Sequence, residues 1–192
     1  MKRRRAVISI GALGLIGLGG LQIGKKLNLF TRRPDLKFLD NQLDVMEELV
    51  ELIIPATNTP GAAACQVHKF VILMVKEAAD HRSKINFIEG LRDLESYARE
   101  EYGRKFLRLE TKEKVQVLSH FEQKGEPLPG LVGKAKNKFF GKSFFEVLKS
   151  YTSIGYCTSR DGATKALAYV PVPTKYLACV ELSDYPKSWA TE

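Results

Sequence analysis

Leu39–Ile53 has the sequence LDNQLDVMEELVELI. Leu39, Leu43, Met46, Leu49, Val50 and Ile53 fall at i, i+4, i+7, i+10, i+11 and i+14, which is one face of an α-helix. Glu47, Glu48 and Glu51 lie opposite that stripe, so they read as a solvated face rather than as paired catalytic carboxylates. Pro55 stops the helix, because proline lacks the amide donor and disfavours helical geometry in the residue before it. The segment that follows, Pro55-Ala-Thr-Asn-Thr-Pro-Gly61, is dense in residues that fix backbone direction. It reads as a structured turn.

The same periodicity runs on down the chain. Val67, Phe70, Val71, Met74 and Ala78 predict a second helix. Phe87, Leu91, Leu94 and Ala98 predict a third, which Gly103 is placed to close. Thr111 is the expected N-cap of a short fourth helix carrying Val115, Leu118 and Phe121. Gly125 to Gly133 reads as a loop, and Phe140, Phe144, Val147, Leu148, Tyr151 and Ile154 predict an aromatic-rich fifth helix. Gly162 to Tyr169 predicts one more short helix, and Pro171 and Pro173 make the remainder extended. No series with two-residue periodicity and hairpin turns occurs. The expectation is an all-α, irregular helical domain of about five or six helices over residues 34–192, with an extended C-terminal tail.

The 192 residues carry 30 Lys plus Arg against 22 Asp plus Glu, a net charge of +8. Eight of those bases stand between Met1 and Pro34, where there is no acid, so the body is electrically balanced. That excludes a globule that coats nucleic acid through general basicity. Lys2 to Arg5 is a basic cluster, and Ala6–Gly24 is a 19-residue stretch without charge. The layout fits a secretory signal, and its length also reaches across a bilayer as a helix. Six glycines in those 19 positions argue against a buried core helix. Arg3-Arg4-Arg5-Ala6-Val7-Ile8 resembles the twin-arginine export motif, with Arg4 and Arg5 as the pair. Residues 1–33 are therefore expected to be an export signal or membrane anchor, and with no clean A-x-A site the segment could stay attached as a tether. The compartment this implies is the periplasm or the periplasm-facing membrane.

The body offers little chemistry. Cys65 and His68 stand three apart at the start of a helix, a spacing open to a reactive thiol–imidazole pair or half a zinc site. No second Cys/His pair stands at ligand spacing, which favours a small buried cysteine beside an unrelated histidine. C-x-x-C-H is absent, so this chain cannot attach a c-type haem covalently. Ser150, Ser153 and Ser159 have no nucleophile elbow. Lys134, Lys136, Lys138 and Lys142 interleave with Phe139, Phe140, Phe144 and Phe145. Such a run reads as an exposed loop leading into core aromatics, or as a binding surface for an acidic partner. A membrane-tethered binding protein using this Lys134–Phe145 surface is the alternative reading of the whole chain. The profile otherwise fits an accessory subunit.

Two stretches carry a family resemblance. Leu52-Ile-Ile-Pro-Ala-Thr-Asn-Thr-Pro-Gly-Ala62 is similar to the helix-end motif IIPATDTPGA of the gluconate 2-dehydrogenase subunit 3 family. Gly155-Tyr-Cys-Thr-Ser-Arg-Asp-Gly-Ala-Thr-Lys-Ala-Leu-Ala-Tyr-Val-Pro-Val-Pro173 resembles that family's GYFTSEIGATQALRYVPVPG, and Tyr176 and Cys179 continue its ending. The chain departs from the pattern at Asn58, Arg160 and Asp161. The resemblance implies a non-catalytic small subunit that accompanies a large flavoprotein of the glucose–methanol–choline type, which binds FAD and oxidises a sugar, sugar acid or polyol. A cytochrome c subunit carrying haem c is a further implied partner, as electron acceptor. No cofactor is expected on this chain. It would carry the export signal for a large subunit that has none. Docking to that subunit is expected from Pro55, Thr57, Thr59, Pro60 and Gly61 in the first motif. In the second motif and the tail the candidates are Tyr156, Tyr169, Pro171, Pro173, Tyr176 and Cys179. Bracing of their own helices is the competing role for both stretches.

The cysteines leave three options open in an oxidising compartment: a Cys157–Cys179 bridge, an intersubunit bond through Cys65 or Cys179, or free thiols. The family pattern has Phe where this chain has Cys157, which points to Cys157 as an unpaired core thiol.

Overall fold

Asn41 and Gln42 interrupt the first predicted helix. Their backbones sit near φ −92°, ψ 4° and φ −109°, ψ 15°, outside helical geometry. Two helices result, α1 (Leu36–Asp40) and α2 (Leu43–Ile53). The break rotates the phase of the stripe. Leu39, Met46, Leu49 and Val50 are fully buried, but Leu43 is exposed and Ile53 only half-buried. The computed structural model describes residues 32–125, 130, 138, 140–172, 179, 181, 183 and 187–190. From Asp35 onward the chain forms one compact unit. Arg4, Arg5, Pro173, Tyr176, residues 126–129 and 131–133 and most of the Lys134–Phe139 run lie outside the described residues.

The remaining helices among the described residues are α3 (Val67–Glu77), α4 (His81–Tyr102), α5 (Thr111–Gly125) and α6 (Phe144–Thr158), with a 3-10 turn at Phe106–Arg108. A single π-helical turn, Gly162–Ala166, replaces the short sixth helix expected over Gly162–Tyr169. Among the described residues there is no strand, only an isolated parallel bridge between Ala168 and Trp189. The protein is all-α.

Helix α4 begins where Asp80 accepts the backbone N–H groups of Arg82 and Ser83, each at 3.1 Å, which satisfies two of the orphan donors of the first turn. It ends at Gly103, whose left-handed φ of 66° lets its N–H reach the Arg99 carbonyl. Phe87, Leu91, Leu94 and Ala98 are all buried, as their spacing predicts. Helix α5 starts one residue earlier than a Thr111 cap implies. The Glu113 carboxylate reaches back to the Glu110 N–H at 2.8 Å, the reciprocal half of a capping box. Val115 is exposed, while Val117, Leu118 and Phe121 face inward.

Helix α6 runs through the middle of the core and packs on α2, α3, α4 and α5. Phe144 meets Phe87 at 5.2 Å and Phe121 edge-on at 5.8 Å between ring centroids. Phe140 lies before α6 and is exposed, as is Ile154 near its end. On α3 the buried stripe is Val67, His68, Val71, Ile72 and Val75, rotated from the predicted one, because α2 as well as α6 covers this helix. Gly155 leaves room for α3 side chains against α6. A Cβ there would stand 2.6 Å from Phe70 Cδ1 and 3.0 Å from Val67 Cγ1.

Candidate functional site

The two motif stretches meet at one end of the helical unit, and a carboxylate organises the first of them. Glu51, on the last turn of α2, accepts the Ala56 N–H on Oε1 at 2.8 Å and the Ala63 N–H on Oε2 at 2.9 Å. One side chain thereby ties the beginning of the Pro55–Gly61 loop to its end. The carboxylate enters because position 61 is glycine. A Cβ at Gly61 would lie 2.2 Å from Oε1 and 2.4 Å from Oε2. The Ala62 N–H closes the loop on the Ile54 carbonyl at 2.9 Å, and the Thr57 N–H donates to the Thr59 carbonyl at 3.0 Å.

The solvated-face reading of the α2 carboxylates therefore holds for Glu47 and fails for its neighbours. Glu51 is the loop clamp. Glu48 accepts from Lys114 Nζ at 2.8 Å, and Lys114 is itself buried against the α2–α5 contact. A signal for Glu51 is present in the sequence. An acid in the last turn of a helix opposes the macrodipole, so it needs a local donor to be held there.

Tyr156 joins the second motif to the first. Its ring is buried, and its hydroxyl donates to the Pro60 carbonyl at 2.8 Å. Its own carbonyl receives the Ser159 hydroxyl at 2.7 Å and the Ser159 N–H at 3.2 Å. The Ser159 Oγ in turn accepts the Gly162 N–H at 3.0 Å. Glycine is required there, since a Cβ at Gly162 would stand 2.0 Å from the Tyr156 carbonyl oxygen. The chain folds tightly over the end of α6 and leaves as an extended segment. That segment is held where Ala168 donates to Ser188 and accepts from Ala190, both at 2.9 Å.

These bonds sort the expected docking residues by position. Gly61 and Tyr156 are buried and act within the chain; Thr59 and Pro60 are half-buried. Pro55 and Thr57 are exposed on the loop, and Tyr169 and Pro171 on the segment beyond α6. Val170 and Val172 stand beside them with 40% and 72% of their surface open, and Trp189 beyond the bridge is 51% exposed. These apolar and small polar groups share the segments with the exposed Arg160, Lys165 and Lys187. Cys179 is exposed as well.

Thiol and imidazole chemistry does not assemble among the described residues. All three cysteines are free, and Cys157 is exposed on α6 rather than part of the core. His68 is buried, its Nδ1 has no hydrogen-bond partner, and no bond links it to Cys65. Burial pushes the His68 pKa below its ordinary value; the Glu47 carboxylate opposes that shift and the Lys69 ammonium adds to it. No group of three His, Cys, Asp or Glu side chains among the described residues could hold a metal ion. None of the described helices is long and apolar enough to cross a membrane. The Lys134–Phe145 run contributes Phe144 and Phe145 to the core, and its described turn is held by Arg82, Ser83 and Asn86 of α4.

Residues 40–173, which contain both motif stretches, match the family model described as gluconate 2-dehydrogenase subunit 3. No curated protein and no solved structure matches the chain.

Proposed function

The chain belongs to the gluconate 2-dehydrogenase subunit 3 family, and from that premise we propose that it is the non-catalytic small subunit of an exported, FAD-dependent sugar, sugar-acid or polyol dehydrogenase. The FAD belongs to the large flavoprotein subunit, and haem c to a cytochrome subunit that takes the electrons. This chain supplies the twin-arginine signal at Arg4 and Arg5 and a docking surface. The folded partner crosses with it to the periplasmic side of the membrane.

The observation that supports this reading is the wiring of the two motifs. Tyr156, Glu51, Gly61 and Gly162 spend their specific chemistry on shaping a loop and a turn, and Pro55, Thr57, Tyr169, Val170 and Val172 are left facing out. That is the chemistry of a pre-organised contact surface, where little ordering entropy remains to be lost on binding. Thr57, Pro55, Tyr169, Val170 and Val172 are the side chains placed to meet the partner.

The test is genetic. With Arg4→Lys and Arg5→Lys together, charge is kept and the arginine pair is lost, so this chain and the dehydrogenase activity should both remain in the cytoplasm. Full activity on the periplasmic side in that double variant, or in a strain lacking this chain, would overturn the proposal.

A further inference from the structure

Away from the motif end, α1, the start of α2, the middle of α4 and the 3-10 turn enclose an open groove of about 450 Å³. Phe38, Val45, Leu91 and Leu107 give it an apolar floor, and Leu107 is 42% exposed. Arg92, Arg99 and Lys105 line the same groove. Glu95 is the acid among the lining residues, and it is already engaged on both oxygens: Oε1 holds Arg99 at 3.2 Å and Oε2 accepts the Phe106 N–H at 3.1 Å. Arg92 bridges to Asp35 at 2.9 Å and lies 4.6 Å over the Phe38 ring. Lys105 is exposed and has no ion-pair partner among the described residues. The groove lining thus combines an apolar floor, two arginines already paired with acids, one unpaired lysine and no free carboxylate.

We infer that this groove takes an acidic, amphipathic segment of a partner protein, with apolar side chains on the floor and a carboxylate toward Lys105. Charge complementarity selects the occupant. The chain's own N-terminal segment, with eight bases and no acid before Pro34, has the wrong sign. A sugar acid has the right sign but no apolar surface to cover Phe38 and Leu107. A helix-in-groove or extended peptide has both, and the groove lies within the size range of ligand clefts. Gln42 and Val45 at the start of α2 line this groove, whereas Glu51 at its end anchors the motif loop, so the two surfaces are separate and either can fail alone.

The test uses the full-length chain in mild detergent and fluorescence anisotropy with labelled peptides of about 16 residues, leucine at i, i+3, i+4 and i+7 and glutamate elsewhere, against matching lysine peptides. Acidic peptides should bind and lysine peptides should not, and rising salt should weaken the binding. Lys105→Glu should weaken it about tenfold through the reversed rim charge. Because Lys105 is exposed and unpaired, that variant should keep the wild-type circular dichroism; Leu107→Ser tests the floor in the same way. The inference is overturned if no acidic peptide binds up to about 1 mM, if peptides of both signs bind alike, or if Lys105→Glu and Leu107→Ser leave binding unchanged. It is also overturned if sedimentation shows the chain dimerising through this groove, with Lys105→Glu restoring the monomer.

Discussion

The Tyr156 hydroxyl and the Pro60 carbonyl, 96 residues apart in the chain, share a hydrogen bond of 2.8 Å. It is the direct link between the two stretches that carry the family pattern. Everything exposed at this end of the protein, from Pro55 on the loop to Val172 on the extended segment, is positioned relative to it.

Tyr156→Phe removes that link and nothing else of comparable size. The ring stays in its buried site, while the Pro60 oxygen loses its donor, at a cost of about 1 kcal/mol. For a domain of this size the thermal midpoint should fall by about 2–4 °C. Helical content by circular dichroism should not change. A midpoint equal to wild type would mean that solvent replaces the bond without loss and that the two motifs are not mechanically joined.

Glu51 and Gly61 should behave as one unit. Glu51→Ala deletes two charge-assisted bonds to backbone N–H groups, with an expected loss of about 2–3 kcal/mol. Gly61→Ala should cost a similar amount by expelling the same carboxylate, since its Cβ would fall 2.2 Å from Oε1. The double variant should be less destabilised than the sum, because the new methyl then enters space that the carboxylate has left. Urea denaturation of the four proteins measures the coupling directly. Strict additivity would contradict the clamp.

How far the sequence alone reaches differs between core and site. Phe87, Leu91, Leu94 and Ala98 are legible because a long, capped helix repeats its burial signal over several turns. Leu43, Val115 and Ile154 satisfy the same spacing yet are exposed, since periodicity marks a face and not its edges. The break at Asn41–Gln42 has no proline or glycine to announce it. Ile72 and Val75 escape because α3 is covered by two neighbours, which widens its buried arc beyond one predicted stripe. In the site, Pro55 and Gly61 announce a turn and the acid in the last turn of α2 calls for a local donor, but which groups bond to shape the turn does not show. A carboxylate reaching loop amides and a hydroxyl reaching a carbonyl 96 residues away leave no periodic trace.

Stability should depend on pH through His68 and Asp80. The unfolded chain binds the imidazole proton near the ordinary value of 6.5, whereas burial keeps the folded value lower. The folded state is therefore at full stability above 6.5 and loses it as pH falls below that value, when the unfolded chain binds the proton more readily. For Asp80, burial alone would raise the carboxyl, but bonds from the Ser83 hydroxyl and from the Ser83 and Arg82 N–H groups outweigh it and hold the pKa below 3.8. Its contribution is complete above 3.8 and is lost as pH falls through the folded value. Urea midpoints at about pH 7.5 and about pH 5.5 separate the two groups, because Asp80 is silent in that window. The wild type should be weaker at the lower pH, and His68→Leu should reduce the difference. An unchanged difference in the variant would assign the slope to other groups.

If this chain works as the accessory subunit of a flavoprotein, native co-purification from the envelope should bring the two polypeptides down together. An affinity tag at the C-terminus, mild detergent and size-exclusion chromatography with simultaneous protein and flavin absorbance suffice. The 21.5 kDa chain should elute in a larger complex that carries flavin, with the flavin on the other polypeptide. Val170→Asp with Val172→Asp should release that flavoprotein while leaving the thermal midpoint of the isolated chain unchanged, because both side chains are exposed. A chain that elutes alone and colourless from cells expressing the dehydrogenase would contradict the account.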